Sequence, residues 1–514
     1  MSSGGILERK ASESIRRNPA LDIIRKGSII TIITLVSRPL GYVREAIQAY
    51  LFGATLLVDA FIVAFNFPEL IQTLFFSGAT SAFLIPICTK YLNDREEYSH
   101  IYSIFINISI MLTIFVSLVF FFFSGTVVRL IAPGFTPEAK VITNNLFIIM
   151  IPVIAFHTVL SVMKAFLNAK EHFAAPELSG IVWNILFIAS ALILGKKLGI
   201  YSLAIGVTIG SLLQIVMQYP YLRRLGIRYR ATLDLKHPAI AAAKSLFAGA
   251  LIATSIVPIN SFVGRIIASY LPHGEVASLS YAFRIFILPF SLFAVPVYTV
   301  MFSKLARLFH DNDMKDFKAH IDSSVVLVCI TLIPATILLC SVGDICVKIL
   351  YERGAFTPAD TAMTNRALFG YSVGLVFYAL SISFVRIFNA MHDMKTPAVI
   401  GISSIIINAI IASLLMVPFR NLGIALATSI VSLYNFVFLY VVLKRKTGYR
   451  VARYAMKDII KSLLAGILLV ILIVLVRRLF PGGIIMALSV SAGLTVIIYG
   501  LAFKNYYLKI LRRR

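Results

Sequence analysis

Uninterrupted apolar runs of roughly 20 residues, the length that crosses a bilayer as a helix, recur from one end of this chain to the other. They lack the strict alternation of barrel strands, so the expected structure is a bundle of helices in a membrane. Composition agrees, with 59% hydrophobic and 14% charged residues in 514, because no water-soluble core of this size hides so much apolar surface. Mean hydropathy is +0.89. Fourteen spans are expected, near 28–51, 57–88, 101–126, 141–164, 177–195, 200–220, 239–270, 277–303, 322–344, 364–390, 397–417, 422–443, 457–476 and 482–503.

A net charge of +25 raises the question of nucleic acid. The placement of the charges answers it, since most sit in short segments between apolar runs and no basic-and-aromatic motif stands outside them. With fourteen spans, the segments on one side hold Arg9 to Lys26, Arg95, Lys164, Lys170, Arg223, Arg224, Arg228, Arg230, Lys236, Lys304, Arg307, Lys315, Lys318, Lys395, Lys444 to Lys446, Arg450, Arg453 and Lys504 to Arg514. The other side holds far fewer, among them Arg129, Lys140, Lys196, Lys197, Lys348, Arg353, Arg420, Arg477 and Arg478. This bias of roughly three to one places both termini in the cytoplasm of a multi-pass inner-membrane protein. The polar, basic stretch before the first span has no apolar segment of its own, so it reads as a cytoplasmic tail and not a cleaved signal.

The chain also repeats itself. Phe135-Thr136-Pro137, Thr143-Asn144, Asn168-Ala169 and Pro176 recur as Phe356-Thr357-Pro358, Thr364-Asn365, Asn389-Ala390 and Pro397, each 221 positions later. Asp59-Ala60-Phe61 with Pro68 is echoed more faintly by Tyr281-Ala282-Phe283 with Pro289. The shift covers six spans, an even number, so both copies keep the same orientation in the membrane. The expected organisation is a basic tail over 1–27, parallel six-helix lobes over 28–230 and 231–446 around a central cavity, and two extra helices over 447–514. Paired lobes of this kind belong to alternating-access transporters.

Ionisable residues inside spans are costly and point to function. Arg38 and Arg44 share part of one face of the first span, with Glu45 beside them. Pro39 and Gly41 lie between the two arginines as a candidate hinge, and Pro68 and Gly78 are candidates in the second span. Arg265 and Arg284 come from the second lobe, and a cationic cavity built from both lobes selects an anion such as pyrophosphate. Each has a plainer reading. Arg44, Glu45 and Arg265 sit where side chains snorkel to headgroups, and Asp59 sits where it caps its own helix. Arg386, Lys244 and Lys461 read as interface anchors.

Enzymatic constellations are absent. The sequence has no phosphate-binding glycine loop, its eight histidines are scattered, and Cys88, Cys329, Cys340 and Cys346 show no metal spacing.

Several motifs resemble those of a known family. Ser37-Arg38-Pro39-Leu40-Gly41, Arg44-Glu45-Ala46, Phe52-Gly53-Ala54, Asp59-Ala60-Phe61 and Ala64-Phe65 resemble the opening of the lipid II flippases (MurJ) of the multidrug/oligosaccharidyl-lipid/polysaccharide exporter superfamily. Tyr281-Ala282-Phe283-Arg284, Glu352-Arg353-Gly354-Ala355-Phe356-Thr357-Pro358, Phe388-Asn389-Ala390-Met391-His392-Asp393 and Thr396-Pro397 continue the likeness. The resemblance implies export of an undecaprenyl-pyrophosphate-linked glycopeptide, lipid II, to the outer leaflet. It also implies that Arg38, Arg44 and Arg284 hold the pyrophosphate with Asp59 beside them, and that the last two helices cradle the lipid tail. The chain departs from the family pattern at Gln72 and at Ser77, where charged residues are common in the family. Sodium sites of some members use carboxylates in spans seven, eleven and twelve; here those spans hold none, and Asn408 offers only an amide oxygen.

The expected protein is therefore a monomeric flippase, not an enzyme, with no cofactor, in contact with membrane lipids and driven by the membrane potential. That potential is worth about 2.3 kcal/mol per charge per 100 mV and pushes an anion outward. Rival readings are a flippase for another polyprenyl-linked glycan of the O-antigen or teichoic acid type, a cation-coupled drug exporter, and a membrane scaffold. A drug exporter calls for acidic cavity residues, and a scaffold has no use for buried arginines.

Overall fold

In the computed structural model, residues 19–479 and 484–511 are described, less some side chains within the helices. The basic stretch before Pro19, the segment 480–483 and the terminal arginines Arg512 to Arg514 lie outside the described residues. Every described element is helical.

The helices are α1 (Pro19–Phe52), α2 (Leu56–Ile71), α3 (Gly78–Lys90), α4 (Arg95–Phe122), α5 (Ser124–Ile131), α6 (Pro137–Ala169), α7 (Ala174–Leu198), α8 (Tyr201–Arg224), α9 (Pro238–Ala268), α10 (Glu275–Pro289), α11 (Val295–His310), α12 (Met314–Tyr351), α13 (Pro358–Val373), α14 (Leu375–Ala390), α15 (Lys395–Phe419), α16 (Asn421–Thr447), α17 (Arg453–Leu479) and α18 (Ile484–Leu511). A π-helical segment, Gln72–Ser77, joins α2 to α3, and another, Phe290–Ala294, joins α10 to α11. Among the described residues, ten helical segments are long and apolar enough to cross a membrane, and α13 with α14, bent by 47°, makes an eleventh. The remaining expected spans fall on α1, which carries Arg38, Arg44 and Glu45, and on α9 and α18, whose shorter described apolar runs are Pro238–Phe247 and Ser489–Phe503.

The repeat reaches down to individual residues. Helix α6 and the α13–α14 pair start and end 221 positions apart, as do α7 and α15. Glu171 and His392, also 221 apart, both turn to positive φ, at 58° each. The recurring Phe-Thr-Pro motif is a helix start. Thr357 accepts from the Asp360 amide while Asp360 accepts from the Thr357 amide, and Pro358 occupies the first turn, where its missing N–H costs nothing. In the first half, the Thr136 hydroxyl accepts from the Ala139 amide in the same way. Asp94 and Asp313 cap α4 and α12 at matching places.

Two compact units arise, and neither follows chain order. One holds Met1–Gln48, Pro68–Ser124 and Asn145–Thr254; the other holds Ala49–Phe67, Gly125–Asn144 and Ser255–Arg514. The first has a core in which Tyr98, Tyr102 and Phe166 pack with Leu84, Cys88 and Leu222, and the Tyr98 hydroxyl donates to the Phe166 carbonyl at 2.8 Å. In the second, α17 and α18 pack on α12 through Leu469, Ile473, Tyr499, Val326 and Ile330.

Candidate functional site

Within the second unit, the end of α1, the first turns of α2 and the segment 125–144 close onto the later half of the chain. Backbone groups take part in most of this contact. The Ala355 amide donates to the Tyr50 carbonyl at 2.8 Å, and the Tyr281 hydroxyl donates to the Gly53 carbonyl at 3.2 Å. The Gly134 amide donates to the Ser269 hydroxyl at 3.2 Å, and Arg265 donates to the Asn66 amide oxygen. Gly53 and Gly354 both have positive φ, 62° and 61°. A Cβ on Gly53 would come within 2.5 Å of the Ala355 carbonyl oxygen, and one on Gly354 would strike Tyr50. Glycine is thus required at both places by conformation and by space. The Arg-Gly-Ala-Phe-Thr-Pro motif is therefore part of a seal, with Gly354 and Ala355 in the contact and Phe356 buried against Tyr281 and Tyr351.

Asp59 makes a contact that its place in the sequence does not announce. It is 1% exposed, and its two carboxylate oxygens accept from the Gly274 amide at 2.5 Å and the Ala277 amide at 2.7 Å. It therefore caps α10, a helix more than 200 positions away, and not its own helix. The orphan amides of a helix start and its dipole both favour a carboxylate there. Glu275, which the sequence reading missed, repeats the device. It is 2% exposed, accepts from the Asn421 amide that begins α16 at 3.0 Å, and lies 3.8 Å from Arg420. Asn421 in turn donates to the Ser278 hydroxyl and the Met363 carbonyl. Proximity to Gly274 marks Glu275 as a helix start in the sequence, but nothing local reveals a partner 146 positions on.

The predicted arginines divide between the units. Arg38, in the first, is exposed on α1. Arg44, one and a half turns on, is half-buried: its guanidinium pairs with Glu45 at 3.0 Å and lies over the rings of Trp183 at 4.9 Å and Phe187 at 5.2 Å. This holds the guanidinium plane in place in a way that a lysine could not. Arg284, in the second unit, is exposed on α10, while Arg265 belongs to the seal.

The hinge candidates also separate. Helix α1 is helical through Pro39 and Gly41, so no break occurs there. The break falls in the second span, where Pro68 precedes the π segment, Gln72 opens it, Ser77 ends it and Gly78 starts the next helix. The side chains at 77 and 78 are outside the described residues. Proline removes a backbone donor and crowds the preceding turn, and a π segment absorbs the misfit. Pro289 precedes the second π segment in the same way. As to a sodium site, the Asn408 amide donates to the Asn260 oxygen at 2.8 Å, so α9 and α15 bring two neutral amides together here, and among the described residues no group of three or more His, Cys, Asp or Glu side chains could hold a metal ion.

At least ten membrane-crossing helical segments among the described residues, with a sequence repeat between the halves, a seal between helix ends and arginines set on the helices, define a polytopic membrane transporter. The sequence matches the family model described as lipid II flippase MurJ over residues 48–492. The chain belongs to that family. It is 28% identical over 425 residues to a probable lipid II flippase MurJ of Rickettsia prowazekii, covering 82% of this chain and 83% of that protein. It is 28% identical over 459 residues to the lipid II flippase MurJ of Thermosipho africanus, covering 88% of this chain and 91% of that one. A solved lipid II flippase MurJ in an inward-closed conformation superposes with a TM-score of 0.82 at 26% identity, over 93% of this chain and 99% of the other.

Proposed function

We propose that this protein exports lipid II, the undecaprenyl-pyrophosphate-linked peptidoglycan precursor, from the cytoplasmic to the outer leaflet by alternating access. The observation that carries the reading is the seal. The outer ends of α1, α2 and α6 are held to the second half by glycine-to-backbone contacts and by the Asp59 cap, while the inner parts of the same helices belong to the other unit. Contacts of this kind exist in one relative position only, so the helix ends are either docked or parted. Parting them opens the outward path.

In this reading Arg38, Arg44 and Arg284 neutralise the pyrophosphate, with Arg44 oriented by its aromatic stack. The membrane potential drives the anion outward, and no sodium is needed because the Asn260–Asn408 pair brings no negative charge. The protein works as a monomer with both termini in the cytoplasm, and the polyprenyl tail follows α17 and α18 through the membrane.

The test is rescue of cells depleted of their own lipid II flippase, at matched membrane expression. Wild type should restore growth, and Arg38→Ala and Arg284→Ala should not. A well-expressed wild type that fails to rescue would move the cargo to another polyprenyl-linked glycan.

A further inference from the structure

Helix α4 carries Ser99, Ser103 and Asn107 at four-residue intervals, one polar stripe on a segment of mean hydropathy 2.5. The stripe is occupied by the extended segment between α8 and α9. The Ser99 and Ser103 hydroxyls donate to their own helix at 2.9 and 2.8 Å, and they accept from the amides of Arg228 at 3.2 Å and Arg230 at 2.9 Å. Asn107 donates to the Thr232 carbonyl at 2.7 Å and accepts from the Tyr229 hydroxyl at 2.7 Å. The segment then returns, and His237 meets Glu97 at 2.6 Å, back at the start of α4. At about 1.5 Å of rise per residue, the path climbs about 12 Å along α4 before turning back. Non-helical backbone is tolerated at membrane depth only where its polar groups are satisfied, and this stripe satisfies them.

The tip of this strap is apolar and its flanks are basic. Leu233 is 46% and Leu235 61% exposed, Tyr229 is exposed beside them, and Arg223, Arg224, Arg228, Arg230 and Lys236 are all exposed. The internal repeat supplies a control. After α16, the matching segment is pinned at the corresponding place on α12, where the Asp322 carboxylate accepts from the Tyr449 hydroxyl at 2.8 Å. That segment is short and its Tyr449 is fully buried. It has basic flanks too but no exposed leucine, so pinning alone does not call for the apolar tip of the strap.

We propose that residues 226–236 form a membrane-interface strap that seats Leu233 and Leu235 among acyl chains and binds anionic phospholipid headgroups through Arg228, Arg230 and Lys236. The occupant is a lipid because apolar tip and cationic flanks sit together on a segment that runs along a membrane-spanning helix. Anionic headgroups fit because Arg223, Arg224, Arg228, Arg230 and Lys236 are all exposed, with Arg230 3.7 Å from Glu96.

The test places an indole on the strap, Leu233→Trp, in the full chain reconstituted in phosphatidylcholine vesicles with and without phosphatidylglycerol. The parent signal from Trp183 is subtracted. Lipids brominated in their chains quench an indole on contact. We expect brominated phosphatidylglycerol to quench it roughly fivefold more effectively than brominated phosphatidylcholine at equal mole fraction. Combining Arg228→Gln, Arg230→Gln and Lys236→Gln should remove that preference and leave the depth unchanged. An indole at the exposed helix position Ile193, by Ile193→Trp, should be quenched by either lipid and reports that the bundle is folded. No quenching of the strap indole by either lipid, with the Ile193→Trp control intact, overturns the proposal; equal quenching by both overturns its anionic part.

Discussion

Gly199 and Arg420, 221 positions apart, hold one backbone conformation: φ 55° and ψ −137° at the glycine, φ 54° and ψ −131° at the arginine. Each closes the tight turn between two packed helices, α7 to α8 in one half and α15 to α16 in the other. Glycine adopts this geometry freely, whereas an arginine there costs about 1–3 kcal/mol. The arginine's return is its approach to Glu275, a carboxylate buried almost completely. Arg420→Gly should therefore be nearly neutral in the wild type, because relief of strain offsets a buried charge left with less compensation. In a Glu275→Gln background the same change should raise the thermal midpoint. A double-mutant cycle of the four proteins, followed by thermal unfolding in detergent, measures the coupling. An identical effect in both backgrounds would mean the pair contributes nothing.

Closing the seal should fail when Gly354 acquires a side chain. Gly354→Ala strains a positive φ and pushes a methyl group into Tyr50. A penalty of one or two kcal/mol changes the ratio of parted to docked ends by about 5–30-fold. The readout is the labelling rate of Ala54→Cys, a buried seal position, by a membrane-impermeant thiol reagent. The rate should rise by that factor over Ala54→Cys alone, and an unchanged rate would show that the glycine is not needed for closure.

The same labelling separates two roles for Asp59. Asp59→Asn keeps one acceptor but sets an amide N–H₂ against a backbone N–H of α10, with a cost of about 1–3 kcal/mol. If Asp59 holds the seal, labelling at Ala54→Cys accelerates while growth rescue is lost. Were rescue lost with labelling unchanged, Asp59 would act on the substrate instead.

Much of this architecture is legible in the sequence because it is written in local signals. Apolar runs mark the spans, and the shared 221-position offset reflects helices whose ends are set by the same capping residues, such as Thr136 and Thr357. The seal is less legible for a physical reason. Asp59 and Glu275 each cap a helix start far along the chain, so the residues that need them leave no trace beside them. Pro39 and Pro68 look alike as hinges, yet only Pro68 adjoins a π segment. Arg44 reads as one more cavity cation until Trp183 and Phe187 are brought beneath it by α7.

That stack makes a direct optical prediction. The chain contains one tryptophan, Trp183, so its fluorescence reports on the Arg44 site alone. Undecaprenyl pyrophosphate added to the detergent-solubilised protein should shift the emission of the wild type. Arg44→Ala should abolish the shift, and Arg44→Lys should weaken it, because an ammonium keeps the charge but not the planar contact. A full shift in Arg44→Ala would place the pyrophosphate elsewhere.

The last prediction concerns the turn between α14 and α15, where Asp393 accepts from the Thr396 amide at 3.0 Å, from its hydroxyl at 2.7 Å, and from the Lys446 ammonium of α16. Partial burial by itself raises the carboxyl, but hydrogen bonds from Lys446 and Thr396 outweigh it and hold Asp393 below the usual carboxylate range. A carboxylate depressed in the folded state stabilises the fold at pH values above its unfolded pKa, near 4, and loses that contribution as pH falls through the folded value. Asp393→Asn should lower the thermal midpoint at neutral pH, by an amount matching about 0.2–1 kcal/mol for the partly exposed pair plus the loss of one acceptor at the Thr396 turn. The gap between variant and wild type should narrow as the pH drops below about 4, since both then carry a neutral side chain there. Thermal unfolding from neutral to acid pH tests this, and a gap that stays constant with pH would mean that Asp393 acts through shape and not through charge.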